Sequence, residues 1–315
     1  SDERSGLVAA SSRALSVVVD GGSGSAGPLA VSALRAIGAE VVPLFCEPDG
    51  RFPHHHPDPA DPRNLAQLAE SVRRHGADLG VAFDTDGDRL GVLDEQGRYV
   101  FADEVLALLA GPYLARHPGA PIVTEVKASR RLVKTVVDSG GRLEMVAVGR
   151  GHVRRRMRET GAEIGGELSG HLFFADHYFG FDDATYAAAR FIAWLADEER
   201  PLSQLRAELP AGIPTRELRI PCDDAEKWRV VESVGQTLSQ RFPEVPTVTI
   251  DGWRIEFPDG WGLIRASNTQ PALTLRFEGA QESDLDTLLR VFDEALQPHL
   301  GTPSATRNRI GRADR

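Results

Sequence analysis

The segment Asp84-Thr85-Asp86-Gly87-Asp88-Arg89 constrains the fold of this chain more than any other part of the sequence. Three carboxylates stand at alternate positions, and Gly87 allows a sharp bend between them. Apolar runs at 79–83 and 90–93 flank the segment and are typical of β-strands, so the pattern predicts a tight turn between two strands. Carboxylates that converge in such a turn suit a hard divalent cation such as Mg²⁺, which prefers oxygen ligands.

Two other structures are compatible with an acidic loop of this kind. An EF-hand loop also begins with aspartates at alternate positions, and Glu95 falls at its twelfth position. Arg89, however, stands where that loop requires glycine, and strands rather than helices are predicted on both sides. A plain acidic β-turn is the weaker alternative because three acids are spaced so closely. We therefore expect Asp84, Asp86 and Asp88 to bind a metal.

Composition limits the class of protein. At 315 residues, the chain is long enough for two or three domains. Its net charge of −10 argues against a nucleic-acid surface, which needs a basic balance. No apolar run approaches the ~20 residues that span a bilayer, and residues 1–16 lack the pattern of a signal peptide. Only Cys46 and Cys222 occur, so no disulfide framework is expected and a reducing compartment is favoured. We expect a cytoplasmic protein without nucleic-acid or membrane partners.

Strand-like and helix-like segments alternate over roughly the first two thirds of the chain, which is typical of layered α/β domains. Later, consecutive strand-like segments lie between two helices, which favours an α+β domain. The predicted fold class is α/β, with two consecutive mixed-sheet α/β domains followed by a smaller α+β domain that has an antiparallel sheet. The predicted boundaries are 1–103 with the metal-binding loop, 104–213 with a sugar-binding loop, 214–300 with a phosphate-binding loop, and a disordered tail at 301–315.

The sugar-binding prediction rests on Gly165-Gly166-Glu167-Leu168-Ser169-Gly170-His171. Glu167, Ser169 and His171 alternate, so we expect them to point the same way from an extended segment. A carboxylate, a hydroxyl and an imidazole together suit the vicinal hydroxyl groups of a sugar. A polar, solvated loop is the alternative, since loops concentrate such residues.

The phosphate-binding prediction rests on Arg265-Ala266-Ser267-Asn268-Thr269. An arginine fork, two hydroxyl groups and the backbone of a loop together suit a dianionic phosphate. The alternative is an ordinary turn between strands.

Two further features have open roles. Lys127 follows an apolar strand, where it could act as a point charge or a proton donor, or simply be solvated. His54, His55 and His56 resemble a metal cluster, but flanking prolines and the lack of periodic spacing favour a packed structural loop.

Taken together and in this order, these motifs resemble the α-D-phosphohexomutase superfamily, and in particular its bacterial phosphomannomutase/phosphoglucomutase branch. The resemblance covers nearly the whole chain, from Val17 to about Leu296. The supporting stretches are FPHHHPDP, VKASRRL, GELSGHLFFADHYFGFDD and GWGLIRASNTQPALTLRFEG. The chain would then correspond to domains two to four of these enzymes.

The resemblance implies an isomerase of carbohydrate metabolism that moves phosphate between positions 1 and 6 of a hexose, through a bisphosphorylated sugar. It implies Mg²⁺ as cofactor, hexose 1,6-bisphosphate as activator of the full enzyme, and glucose or mannose 1- and 6-phosphates as substrates. By position, it assigns the metal to Asp84, Asp86 and Asp88, catalytic roles to Arg89 and Lys127, the sugar hydroxyls to Glu167, Ser169 and His171, and the phosphate to Arg265, Ser267, Asn268 and Thr269.

The chain departs from the family pattern in one major respect. The first family domain, which carries a phosphorylated serine in a T-A-S-H-N-P type loop, is not recognised, and no serine here has that context. We therefore expect no nucleophile in this chain and no activity without a first domain supplied in cis or in trans. Arg150 also stands where this branch usually has histidine, with His152 two residues on, and the roles of these two stay open.

Two other functions compete with a mutase. A non-catalytic sugar-phosphate-binding module would not need the intact acids Asp84, Asp86 and Asp88. A metal-dependent sugar phosphatase would need an aspartate nucleophile with an acid two residues later, and Asp84 and Asp86 satisfy that pattern. The sugar-binding and phosphate-binding motifs disfavour the phosphatase. Preference for glucose or mannose stays open because Glu167 and Ser169 would meet hydroxyls common to both, and the oligomeric state stays open as well.

Overall fold

The computed structural model describes residues 13–300, which form two compact units. The first unit contains 13–145 and 149–209, and the second contains 146–148 and 210–300. The tail predicted to be disordered, 301–315, lies outside the described residues. Within 13–300, the helices are all too short or too polar to cross a membrane. The predicted domain boundaries at 103 and 213 stay predictions.

The first unit begins with a five-stranded mixed sheet in the order β2-β1-β3-β4-β5. Strand β1 pairs in parallel with β2 and β3, whereas β4 is antiparallel to both of its neighbours. Every residue of β3 and β4 is buried, which agrees with their continuous apolar runs. The elements are β1 (Ser16–Asp20), α1 (Ala26–Ala36), β2 (Glu40–Leu44), α2 (Ala66–His75), β3 (Leu79–Phe83), β4 (Leu90–Asp94) and β5 (Tyr99–Val100).

A second mixed sheet in the same unit has the order β7-β6-β8-β9, with β6 parallel to β8 and β8 antiparallel to β9. One apolar core joins it to the first sheet and includes Val19, Leu106, Ile164 and Phe191. Its elements are α3 (Ala102–Arg116), β6 (Pro121–Glu125), α4 (Arg130–Asp138), β7 (Arg142–Val146), α5 (Arg150–Thr160), β8 (Ile164–Gly166), β9 (Leu172–Phe174), α6 (Ala184–Ala196) and α7 (Leu202–Ala207).

The second unit is an antiparallel sheet covered by two helices. Val234, Leu238, Ile264 and Phe292 belong to its core. The path through the sheet is β10-β15-β14-β13-β12, and β11 also pairs with β15. The elements are β10 (Ile213–Pro214), β11 (Leu218–Pro221), α8 (Lys227–Arg241), β12 (Thr247–Val248), β13 (Trp253–Phe257), β14 (Gly260–Ala266), β15 (Ala272–Gly279) and α9 (Glu282–Leu300).

The predicted fold class is confirmed: two mixed-sheet α/β parts are followed by a part with an antiparallel sheet. In the three-histidine segment, His55 is half-buried, whereas His54 and His56 are exposed. The ring of His54 stacks on Phe45 with centroids 3.8 Å apart, and His55 Nε2 lies 3.0 Å from a carboxylate oxygen of the buried Asp20.

Candidate functional site

The acidic loop is folded around the carboxylate of Asp84. Its Oδ1 atom accepts hydrogen bonds from the backbone N–H groups of Gly87, Asp88 and Arg89 at 3.0, 3.1 and 3.1 Å. Its Oδ2 atom accepts a hydrogen bond from Arg89 Nε at 2.7 Å. Asp84 is only 2% exposed. The first carboxylate of the motif therefore determines the path of the five residues that follow it.

Two helices hold the loop from outside. The carbonyl of Thr85 accepts hydrogen bonds from the backbone N–H and the hydroxyl of Ser25, which precedes α1, at 2.9 and 3.0 Å. The carbonyl of Gly87 accepts the N–H of Ala184, the first residue of α6, at 3.0 Å. Gly87 has φ +79°, and a Cβ there would lie 2.7 Å from the Cβ of Ala26. Glycine is required at this position by both conformation and space.

Arg89 is fixed by two carboxylates. Besides Asp84, its guanidinium contacts Asp58, with Nη1 3.0 Å from Oδ1. Burial favours the neutral form of Arg89, but the neighbouring Asp84 and Asp58 outweigh that effect and raise its pKa further above the ordinary value. Arg89 is therefore a permanent positive charge beside the acidic loop. Asp58 was not anticipated from the sequence, because it lies 26 residues before Asp84 in an irregular segment.

The three acids of the loop could hold a cation. Ligand oxygens of Asp84, Asp86 and Asp88 all lie within 4.8 Å of one another. Burial acts to raise the pKa of Asp84, but its hydrogen bonds and proximity to Arg89 lower it below the ordinary value. Burial and the charge of Asp84 raise the pKa of Asp88. Three close carboxyl groups in an oxygen-rich turn fit the donor set that Mg²⁺ prefers.

The segment predicted to bind sugar is a turn and not an extended strand, so the reason given for the convergence of its side chains was wrong. Gly170 has φ +102°, and its carbonyl accepts the N–H of Leu90, at the end of the acidic loop, at 3.0 Å. The side chains nevertheless meet. His171 Nδ1 lies 2.9 Å from Glu167 Oε2 and 2.8 Å from Ser169 Oγ. The hydrogen bond between Leu90 and Gly170 joins this turn directly to the acidic loop.

Glu125, which has no distinctive motif around it in the sequence, connects Lys127 with the same turn. Its Oε2 atom accepts the backbone N–H of Lys127 at 2.7 Å, and its Oε1 atom accepts that of Leu168 at 3.1 Å. The Nζ atom of Lys127 lies 3.7 Å from Oε1, and Lys127 is 5% exposed, so it is not a solvated lysine. Burial raises the pKa of Glu125, and the charge of Lys127 opposes that shift.

Arg150 contacts the acidic loop from the start of α5. Its Nη1 atom lies 2.6 Å from Asp88 Oδ2 and 3.4 Å from Asp182 Oδ2. The residue before it, Gly149, donates its backbone N–H to Glu167 Oε1 at 2.7 Å. The sequence left the roles of Arg150 and His152 open. In the structure, Arg150 contacts Asp88 of the acidic loop. The ring of His152 accepts a hydrogen bond at Nδ1 from Arg155 Nη2 at 2.8 Å.

The predicted phosphate-binding residues lie in the second unit. Arg265 belongs to strand β14, whereas the sequence had suggested a loop that begins at this residue. Its Nε atom donates to Asp251 Oδ2 at 3.1 Å, and its side chain is buried. Ser267 Oγ accepts the backbone N–H groups of Thr269 and Gln270 at 3.4 and 3.2 Å. The side chains of Asn268 and Thr269 lie in the exposed part of the turn.

Lys227 holds this turn from within. Its Nζ atom donates to the carbonyl oxygens of Ser267 and Gln270 at 2.6 and 3.2 Å, and to Asp224 at 2.5 Å. The residue is 5% exposed at the start of α8. Neither Lys227 nor Asp251 carried a signal in the sequence, because each is far from the turn along the chain.

Three family models match the chain in series. They are described as phosphoglucomutase/phosphomannomutase α/β/α domain II (residues 3–97), α/β/α domain III (101–212) and the C-terminal domain (217–295). A phosphomannomutase/phosphoglucomutase of Pseudomonas aeruginosa is 42% identical over 288 residues, which cover 91% of this chain and 62% of the relative. A phosphoglucomutase of Neisseria gonorrhoeae is 39% identical, over 92% of this chain and 64% of the relative.

The crystal structure of a phosphoglucomutase/phosphomannomutase family protein from Burkholderia thailandensis superposes with a TM-score of 0.85 at 40% identity, over 94% of this chain and 63% of that one. The chain thus spans less than two thirds of the length of these relatives. The fold and the matches define a member of the α-D-phosphohexomutase superfamily. More specifically, the chain belongs to the phosphoglucomutase/phosphomannomutase family, of which it contains domains II to IV.

Proposed function

We propose that this chain provides metal, sugar and phosphate subsites of a phosphohexomutase, which interconverts hexose 1-phosphate and hexose 6-phosphate through hexose 1,6-bisphosphate. The observation that carries the proposal is the direct link between the acidic loop and the sugar-type turn. The N–H of Leu90 and the carbonyl of Gly170 join them at 3.0 Å. Names of relatives that are 39–42% identical support the same class of activity.

In this proposal, Asp84, Asp86 and Asp88 hold Mg²⁺. When bound, the ion neutralises charge on phosphoryl oxygens. Arg89 contributes a phosphate contact, because a guanidinium in proteins keeps its protons and is a poor proton-transfer group. Its position is determined by Asp84 and Asp58, so its charge is oriented before a substrate arrives.

Glu167, Ser169 and His171 bind the sugar hydroxyls, and Lys127 acts as a general acid and base. An ammonium group suits that role when its surroundings restrict it to one position and keep water away. Lys127 is buried and lies beside Glu125, which also holds the sugar-type turn through Leu168. In the second unit, Arg265, Ser267, Asn268 and Thr269 bind a phosphate group of a glucose or mannose phosphate.

We also assign the phosphorylated serine to a first domain that acts in cis or in trans, so that this chain alone has no mutase activity. The support is that none of its serines has the sequence context of the family nucleophile. Positioning and charge stabilisation cannot replace the missing phosphoryl donor. Hexose 1,6-bisphosphate would activate the full enzyme, and the cytoplasm is its proposed location.

The chain alone can be tested with glucose 1-phosphate, Mg²⁺ and a trace of glucose 1,6-bisphosphate, followed by ³¹P NMR. We expect neither glucose 6-phosphate nor inorganic phosphate to form, while glucose 1-phosphate binds. Formation of glucose 6-phosphate would reveal a phosphoryl carrier within these residues. Release of inorganic phosphate, lost in Asp84→Asn, would instead favour the sugar phosphatase.

A further inference from the structure

We propose that Asp88, His171 and Asp182 form a second cation site, which binds a borderline transition-metal ion such as Zn²⁺ and shares Asp88 with the acidic loop. The site differs from the proposed Mg²⁺ set in two of its three ligands, an imidazole and a carboxylate that both lie outside the loop. It lies within the first unit and does not depend on any mutase activity.

The geometry of the three side chains carries the proposal. One ligand atom from each of Asp88, His171 and Asp182 lies within 4.8 Å of the others. His171 Nε2 is 3.4 Å from Asp88 Oδ1, a separation typical of two ligands on one tetrahedral ion with bonds of about 2.0–2.2 Å. One imidazole with two carboxylates is a donor set for Zn²⁺ rather than Mg²⁺, which prefers oxygen ligands and water.

The imidazole is already oriented for this task. Its Nδ1 atom faces Glu167 Oε2 at 2.9 Å and Ser169 Oγ at 2.8 Å, so Nε2 is the nitrogen directed toward Asp88. Glu167 is 3% exposed and is itself held by the backbone N–H of Gly149. A histidine that binds a metal through one ring nitrogen usually donates the N–H of the other nitrogen to a carboxylate. That hydrogen bond fixes the tautomer and the plane of the ring.

A positive group already lies between the two carboxylates. Arg150 Nη1 is 2.6 Å from Asp88 Oδ2 and 3.4 Å from Asp182 Oδ2. The aspartate side chains are 18% and 7% exposed, whereas that of Arg150 is 59% exposed. The carboxylates are thus fixed, whereas the exposed guanidinium can move into water once a bound cation compensates the charge of both acids. A metal ion at this site would displace Arg150.

Zinc binding to the metal-free full chain, measured by calorimetry, tests the site. Two matched variants separate it from the acidic loop: Asp182→Asn removes a ligand of the second site only, and Asp86→Asn removes one of the loop only. We expect Asp182→Asn to weaken Zn²⁺ binding by about tenfold or more and Asp86→Asn to leave it unchanged within twofold. Arg150→Gln, at an exposed side chain, should tighten binding by removing the competing charge.

The opposite pattern would overturn the proposal: Zn²⁺ affinity lost in Asp86→Asn and retained in Asp182→Asn places the ion in the acidic loop. X-ray absorption of the zinc-loaded parent gives an independent check that does not depend on a folded variant. A nitrogen ligand at about 2.0–2.1 Å is expected, and a shell of oxygen atoms alone would rule the site out. Circular dichroism of Asp182→Asn shows whether that variant keeps the parent fold.

Discussion

Arg89 donates from Nε to Asp84 Oδ2 at 2.7 Å, and the backbone N–H of the same Arg89 donates to Asp84 Oδ1 at 3.1 Å. Both oxygens of the first acid are therefore engaged by the residue that ends the motif. These hydrogen bonds close the acidic loop around the carboxylate of Asp84. They leave Asp86 exposed at the tip of the loop, where its substitution should affect a bound cation more than the fold.

The first prediction follows from that difference. Asp86→Ala should abolish or strongly weaken Mg²⁺ binding, because it removes one of three acidic ligands. Calorimetric titration of Mg²⁺ into the parent and the variant measures the effect. Glu40→Gln, which removes an exposed acid of β2, should bind like the parent. Equal Mg²⁺ affinity in the parent and in Asp86→Ala would exclude the acidic loop as the metal site.

The second prediction concerns Glu125. Glu125→Gln should lower the free energy of unfolding by ~1–3 kcal/mol, because an amide has one acceptor oxygen for the two N–H groups of Lys127 and Leu168. Urea unfolding measures this change. Asp138→Asn, at an exposed end of α4, is the control and should have little effect. Glu125→Gln should also bind glucose 1-phosphate more weakly than the parent does. If its stability and its affinity equal those of the parent, Glu125 does not position Lys127 and the sugar-type turn.

The third prediction concerns the phosphate-binding turn. Arg265→Ala should weaken binding of glucose 1-phosphate by ~1.5–3 kcal/mol, the usual contribution of a hydrogen bond to a charged group. Affinities measured by calorimetry provide the test, with Arg241→Ala on the exposed face of α8 as the control. If Arg265→Ala binds the sugar phosphate as tightly as the parent does, the phosphate group lies elsewhere.

The fourth prediction is a pH dependence of stability. The hydrogen bond to Asp20 raises the pKa of His55, while burial opposes the shift. The folded state therefore binds this proton more tightly than the unfolded state does. The stabilisation should be complete below about pH 6.5, the ordinary value for histidine, and should decline as the pH rises through the raised pKa of the folded state.

Urea unfolding of the parent and of His55→Gln at several pH values tests this prediction. The difference in unfolding free energy should be larger at acidic than at alkaline pH. The same comparison in an Asp20→Asn background should lose most of its pH dependence, because the partner charge is gone. A difference that stays constant with pH would mean that the contact with Asp20 does not shift the titration of His55.

Local sequence patterns predicted much of the fold. The acidic loop lies between two buried strands, β3 and β4, as expected. For two elements the sequence carries little signal, and the reasons are physical. Helix α3 is apolar on nearly every face, so it has no helical periodicity to detect. Strand β14 contains Gly262, a residue that disfavours strands but is needed here because a Cβ would lie 2.4 Å from the ring of Phe292.

The candidate site could be predicted only where its residues are close in sequence. The acids of the loop and the sugar-type turn are each contained in seven residues or fewer, and the structure brings each group together. Glu125, Asp182 and Lys227 were missed because their partners lie far away along the chain. Glu125 Oε1, for example, meets the N–H of Leu168, which is 43 residues later. Contacts of this kind depend on the folded chain and leave no local pattern.

The proposed mutase function is tested most directly in a chimera that joins the part of the Pseudomonas aeruginosa relative not covered by this chain to residues 1–315. The purified chimera is checked for cooperative unfolding and for serine phosphorylation by mass spectrometry. It is then assayed by ³¹P NMR with glucose 1-phosphate, Mg²⁺ and glucose 1,6-bisphosphate. The account predicts conversion to glucose 6-phosphate that is lost in the Asp86→Ala chimera. A folded, phosphorylated chimera that leaves glucose 1-phosphate unchanged would contradict it.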